Sequence, residues 1–380
     1  IELQKLITNT NEPMDLVRLN GNLGVLYLRQ GKMKEAYTHF EKQFKMCQKY
    51  GYKNQSSQAL GNMGVINNIL GKFKAASKIF NRIIEIAEEI GDRRVLGQTY
   101  GNLGIIHLQL HEYDTAIKHM NTLLSISTRL NDTHSMITVN NNIGYTYLQM
   151  GLYENAIKHC KISLTLNKEV GIPESEAQSW DNMGNAYFEM GNFNTAGKYM
   201  KKSLAIFTEL GNKRGRAIAE GGLGEILIEE NKLSDAVQLF TSALDVFNEI
   251  NDQPKLARFY IKRAMARQKL NDYDLAANDL AKAGEVAAIL NDKTYIFMTK
   301  LYSALNHIKK DVMTIHLSEK TLKNLDDPKL EQENKALLYF HLWQISGSKI
   351  YADKSLKLYQ ALYQSKLSYS IKQKIDLLRS

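Results

Sequence analysis

Three stretches decide the fold: GNLGVLYLRQGKMKEA at residues 21–36, GNMGVINNILGKFKAA at 61–76 and GNLGIIHLQLHEYDTA at 101–116. They stand 40 residues apart, and the spacing persists outward. The small residue that closes the first motif recurs as Gly24, Gly64, Gly104, Gly144, Gly184 and Gly224, then as Ala264 and Ala304. A second small position runs Ala36, Ala76, Ala116, Ala156, Ala196, Ala236 and Ala276. Between them a turn position holds Gly31, Gly71, His111, Gly151, Gly191, Asn231 and Asn271. Another phase, at the joint between units, holds Gly51, Gly91, Asn131, Gly171, Gly211, Asn251 and Asn291. Fixed-period self-similarity of this kind marks a repeat architecture.

Each unit reads as two helices. In YDTAIKHMNTLLSISTRL, the residues Tyr113, Ala116, Ile117, Met120, Leu123 and Leu124 make one apolar stripe at helical spacing. Gly and Asn at the joints suit helix C-termini that need a left-handed residue. Pro13, Pro173 and Pro254 fall just after joints, where proline can open a helix at little cost. One such pair cannot bury its apolar face alone, but stacked pairs can. The expected fold is therefore all-α. The small residues are expected where two helices cross closely.

These residues resemble the tetratricopeptide repeat (TPR) family. Its small residue, tyrosine three positions on, turn glycine and following alanine are matched by Gly24–Tyr27–Gly31–Ala36. Gly144–Tyr147–Gly151–Ala156 and Gly184–Tyr187–Gly191–Ala196 match it too. The 40-residue form with GNLG is similar to the repeats of LGN/Pins spindle-orientation adaptors, to arrays in bacterial signalling proteins and, more loosely, to kinesin light chain. The resemblance implies a right-handed α-α superhelix, here of about nine helix pairs. Seven regular repeats are expected over residues 11–292 and two divergent ones over 293–366. A capping helix is expected over 367–380, and residues 1–10 read as the end of a preceding helix. With no initiator methionine, the chain is expected to be a fragment or processed form of a longer protein.

The motif's second place asks a functional question. Asn22, Asn62, Asn102, Asn142 and Asn182 share one phase, after which Gly222, Lys262 and Tyr302 follow. Asparagine is a mediocre helix residue, because its side chain competes for nearby backbone groups. An amide offers a donor and an acceptor, which matches a peptide unit without demanding any side chain. The resemblance places the first helix of each pair on a concave groove and implies that such asparagines hold the backbone of an extended peptide. One turn earlier lie Arg18, Gln58, Gln98, Thr138, Gln178, Ile218 and Arg258. About one turn later lie Val25, Val65, Ile105, Tyr145, Asn185 and Glu225. The wall is thus expected to pass from amides and small apolar residues to polar and acidic ones. Gly21, Gly61, Gly101 and Gly221 allow either a close ligand approach or close helix packing. Arg258 and Lys262 form a basic spot that could take a carboxylate. The carboxylate-clamp pattern of chaperone-binding members is missing, since Gln58 and Gln98 stand where basic residues belong.

Composition narrows the class. The chain has 380 residues, 44% hydrophobic and 23% charged, with two cysteines and a net charge of +9. Two cysteines cannot make a disulfide framework, and no Cys/His spacing suits zinc. No apolar run approaches the ~20 residues of a membrane span. HEYDTAIKH opens like a zinc-protease helix but carries Thr115 where the second histidine belongs. His39, His119 and His159 share a repeat phase and read as surface or groove-edge positions. The expectation is a cytoplasmic, non-catalytic interaction scaffold without cofactor or metal. It would bind a protein or peptide, acidic in character given the charge, with self-association open and nucleic acid disfavoured by interspersed charges. The alternative is a regulatory or sensor segment of a multidomain signalling enzyme or transcription regulator.

Overall fold

The computed structural model describes residues 12–379, and the expected helix end at residues 1–10 lies outside them. The described residues form helices and no strand. Nine pairs follow one another: α1 (Pro13–Arg29) with α2 (Met33–Tyr50), α3 (Lys53–Ile69) with α4 (Phe73–Ile90), and α5 (Arg93–Gln109) with α6 (Tyr113–Arg129). Then come α7 (Thr133–Gln149) with α8 (Tyr153–Val170), α9 (Pro173–Glu189) with α10 (Phe193–Glu209), and α11 (Lys213–Glu229) with α12 (Leu233–Glu249). The last pairs are α13 (Gln253–Lys269) with α14 (Tyr273–Leu290), α15 (Lys293–Lys310) with α16 (Ile315–Lys323), and α17 (Gln332–Ser346) with α18 (Lys349–Ser365). A single helix, α19 (Tyr369–Arg379), closes the chain. The expected all-α solenoid of about nine pairs is the fold observed.

The boundaries follow from local chemistry. Gly51, Gly91 and Gly171 end α2, α4 and α8 in the left-handed conformation, and Asn291 does the same after α14. The amide of Tyr52 then reaches back to the Cys47 carbonyl at 2.9 Å, satisfying a group the helix end would orphan. Asp92 caps α5 by accepting from the amides of Arg94 and Val95, each at 3.0 Å. Pro13, Pro173 and Pro254 all lie in the first two positions of their helices.

The chain divides into two compact units, residues 1–146 and 147–380. In the first, the phase glycines create the packing. A Cβ at Gly24 would meet the Phe40 ring at 2.6 Å, at Gly64 the Phe80 ring at 2.7 Å, and at Gly104 Met120 at 2.8 Å. Phe40, Phe80 and Met120 are among the most buried side chains, so each glycine is the hole that a second-helix knob fills. The second unit repeats the device, with Gly184 against Met200 and Gly224 against Phe240. Within each unit a first helix packs on its own partner and on the second helix of the pair before it. First helices also lie side by side, α3 touching α5 in the first unit and α9, α11, α13 and α15 touching in series in the second.

The histidine phase is not a surface feature. His39 stacks on Tyr27 with centroids 5.3 Å apart, His119 on Tyr100 at 5.7 Å, and His159 on Tyr147 at 5.5 Å. Tyr199 occupies the same phase and stacks on Trp180 at 5.0 Å. These rings fill the seam between the two helices of a pair. Burial lowers the pKa of all three histidines, with nearby lysines adding to the effect.

Candidate functional site

The first-helix layer of the first unit presents the amide series to solvent. Asn22 is exposed, and Asn62, Asn102 and Asn142 are half-buried. Among the described residues, none hydrogen-bonds the side-chain amides of these four. This separates them from their neighbours Asn20, Asn67 and Asn140, whose side-chain amides donate to the carbonyls of Leu16, Met63 and Met136. One turn before them Gln58, Gln98 and Thr138 are exposed. One turn after them Val25, Val65 and Tyr145 expose 37%, 36% and 40% of their surface, while Ile105 is half-buried. The wall therefore combines hydrogen-bonding amides with small apolar side chains left in water. Gly21 and Gly101 serve packing here, since an added Cβ would meet Gln43 at 2.8 Å and Leu123 at 2.9 Å. Gly61 faces open space.

In the second unit the same wall is spent on itself. Asn182 continues the phase, but its side chain hydrogen-bonds Cys160. Glu225 is buried and takes both predicted basic residues: Arg258 donates to its Oε1, and the Lys262 ammonium lies 2.7 Å from its Oε2. Burial alone would raise the Glu225 pKa, but these two cations hold it down to about 2. Arg258 and Lys262 are thus not a vacant carboxylate spot, which corrects the expectation. Sequence reasoning placed an acid and two bases in adjacent repeats without pairing them. The signal was present, because Glu225 and Arg258 occupy neighbouring rungs of one wall. Close by, burial pushes Asp181 up to about 6, with Lys255, Arg258 and Asn185 opposing the rise. Burial likewise brings Lys255 down to about 8, assisted by Arg258.

Cys47 and Cys160 are buried thiols whose pKa burial raises, to about 12 for Cys160, so neither is poised as a nucleophile. No group of His, Cys, Asp and Glu among the described residues could hold a metal ion. No helix among them is long and apolar enough to cross a membrane.

Stacked helix pairs with knob-and-hole crossings and an exposed first-helix layer define a repeat scaffold for protein interaction. The chain belongs to the tetratricopeptide repeat family, whose family model matches residues 15–89, 95–159, 135–209 and 175–249. No curated protein matches it. Among solved structures it is similar to the apo form of RapI, with a TM-score of 0.61 at 14% identity over 72% of this chain and 98% of that one. It is also similar to the apo form of the quorum sensor NprR from B. thuringiensis, with a TM-score of 0.61 at 17% identity over 85% and 90%. A Rap protein complexed with competence and sporulation factor gives 0.60 at 12% identity over 92% and 99%. At these identities the likeness concerns the fold.

Proposed function

We propose that the protein is a non-catalytic scaffold that holds an extended peptide along the first-helix wall of its first unit. Asn22, Asn62, Asn102 and Asn142 grip the peptide backbone. Val65, Ile105 and Tyr145 receive its side chains, with Val25 at one end and Gln98 in the flanking row. The observation that carries this reading is the set of four side-chain amides in one phase with no hydrogen-bond partner among the described residues, beside neighbouring asparagines that have one. A solvated amide that must exchange water for a peptide unit gives a modest net gain, ~0.5–1.5 kcal/mol per hydrogen bond, so affinity requires several rungs together. A net charge of +9 adds a preference for acidic segments that salt weakens.

A library of random extended peptides displayed on phage tests the reading. Selected binders should share apolar residues at alternate positions and little else, because amides read backbone. A tight consensus of charged side chains would count against it.

A second reading, a sensor segment of a larger signalling protein, is supported by two of the similar structures. One is described as a quorum sensor and another is complexed with competence and sporulation factor. Both readings use the same wall, and the reading frame upstream of Ile1 separates them. Self-association is a further proposal, checked by light scattering over a concentration series. A cytoplasmic location fits the absence of a disulfide framework and is checked by fractionation.

A further inference from the structure

Residues 54–70, 95–110 and 135–146, the bodies of α3, α5 and α7, contain no Asp, Glu, Lys or Arg, in a chain that is 23% charged. What these stretches offer is amide, hydroxyl and hydrocarbon. Gln58, Gln98 and Thr138 form the row before the asparagines. Val65, Ile105 and Tyr145 form the row after them, and Ile69, 57% exposed, extends it by one turn on α3. The one histidine of α5, His107, lies in the seam of its pair, 2.6 Å from Glu112 and stacked on His119. The nearest charges stand at the joints and are engaged there. Lys53 bonds Glu89 of α4, and Asp92 caps α5. Asp132 accepts from the Ser135 amide at 3.1 Å and from its hydroxyl at 2.8 Å. Arg94, one turn before Gln98, interacts electrostatically with Asp132 and marks the edge of the wall.

The fold does not require this neutrality. The same phases in the second unit hold Glu189, Glu225, Glu229, Arg258 and Lys262. In the first unit charge enters them only on α1, as Arg18 and Arg29, and Arg18 lies 3.8 Å from Asp15 of its own helix. A charged ligand side chain laid over α3, α5 or α7 would give up water and meet no counter-charge. Amide dipoles replace part of that hydration and the wall is open, so the penalty discriminates rather than forbids. Backbone units and apolar or hydroxyl side chains give up less, and the wall matches them. The net charge of +9 is carried outside these three stretches and acts at long range, on the ligand's approach.

Given that these amides hold a peptide backbone, as proposed above, we infer that the occupant is an extended segment with uncharged side chains over α3, α5 and α7, and that the wall rejects charge of either sign there. Helices in contact, as α3 and α5 are, lie about 8–10 Å apart, and an extended chain rises about 3.3 Å per residue. One interval therefore passes about three ligand residues, and three rungs about six. Acidic residues that the net charge favours belong beyond that run, toward Arg94 or α1.

The probe is the tightest peptide selected from a phage-displayed random library on the full chain, remade with Glu and with Lys at each position in turn. Calorimetry should show one contiguous run of about six positions at which either residue weakens binding about tenfold or more. Positions outside the run should tolerate Glu. Gln98→Lys, at an exposed site, should restore the Glu peptides over part of the run and leave the Lys peptides weak. A run that tolerates Glu and rejects Lys would mean that the wall reads net charge, and would overturn the proposal. So would the absence of any run, or Glu peptides that stay weak in Gln98→Lys, which would place the run off this wall. The Asn62→Ala/Asn102→Ala variant keeps the two readings apart. If it binds the parent peptide as the wild type does, the backbone reading fails and the charge exclusion with it. If it binds more weakly while Glu is tolerated throughout, the exclusion alone fails. A library that yields no binder overturns both.

Discussion

At the scale of single residues, glycine does two different jobs that spacing alone does not separate. Gly64 faces the Phe80 ring, and Gly61, one turn away on α3, faces open space. Gly64→Ala is expected to displace a buried ring and cost ~1–3 kcal/mol. Gly61→Ala should instead gain up to ~1 kcal/mol from helix propensity. Urea midpoints of the two variants check the pair, and equal effects would contradict the packing described.

Buried bases set the pH dependence. Burial keeps His39, His119 and His159 below their ordinary pKa, and brings His341 down to about 4. Their folded pKa lies below the unfolded value of about 6.5, so the unfolded chain binds more protons in that window. Stability is therefore complete above about pH 6.5 and falls as pH drops toward 4. Asp181 acts in the opposite sense between about 6 and its ordinary value of 3.8, because folding raises its pKa and favours its protonated form. Thermal melts from pH 7.5 to 4 should show a net loss. His341→Asn should flatten it, and Asp181→Asn should steepen it.

At the scale of elements, the helix boundaries were largely legible, because Gly, Asn and Pro act through backbone conformation that the neighbouring residues hardly alter. The eighth pair is where that rule weakens. Its first helix, α15, runs to Lys310, and the left-handed turn falls on Val312 at φ 48°. Other pairs use Gly, Asn or His at this turn. A β-branched residue there is strained, and Val312 is 87% exposed, so no packing offsets the strain. Val312→Asn should stabilise by ~1 kcal/mol, read from the thermal midpoint. An unchanged or lower midpoint would show that the strain is relieved elsewhere. The histidine stacks were less legible. The phase was visible, but the partners Tyr27, Tyr100 and Tyr147 sit twelve or more residues away on the facing helix, and periodicity does not say which faces meet.

At the scale of the whole molecule, the period announced the architecture but not which rungs remain available. Asn102 and Asn182 are indistinguishable by phase, yet the second is bonded to Cys160 and the first has no such partner. Charge neutralisation is equally hidden, because Glu225 meets Arg258 and Lys262 only when consecutive pairs stack. Glu225→Gln should destabilise by ~1–2 kcal/mol, less than a fully buried pair would lose, because Arg258 and Lys262 are part-exposed and can rehydrate. The return of α19 to Glu189 has no sequence signature, since nothing periodic links Ser368 to a residue 179 positions away.

The central claim is that Asn22, Asn62, Asn102 and Asn142, whose side-chain amides have no hydrogen-bond partner among the described residues, read a peptide backbone. The most direct measurement is calorimetric titration of a library-selected peptide into the wild type and into Asn62→Ala/Asn102→Ala, both shown folded by circular dichroism. Losing two rungs, each with a donor and an acceptor, should weaken binding by at least about tenfold, at ~0.5–1.5 kcal/mol per bond. Equal affinity in the folded double variant would contradict the account and leave the asparagine series without a role in binding.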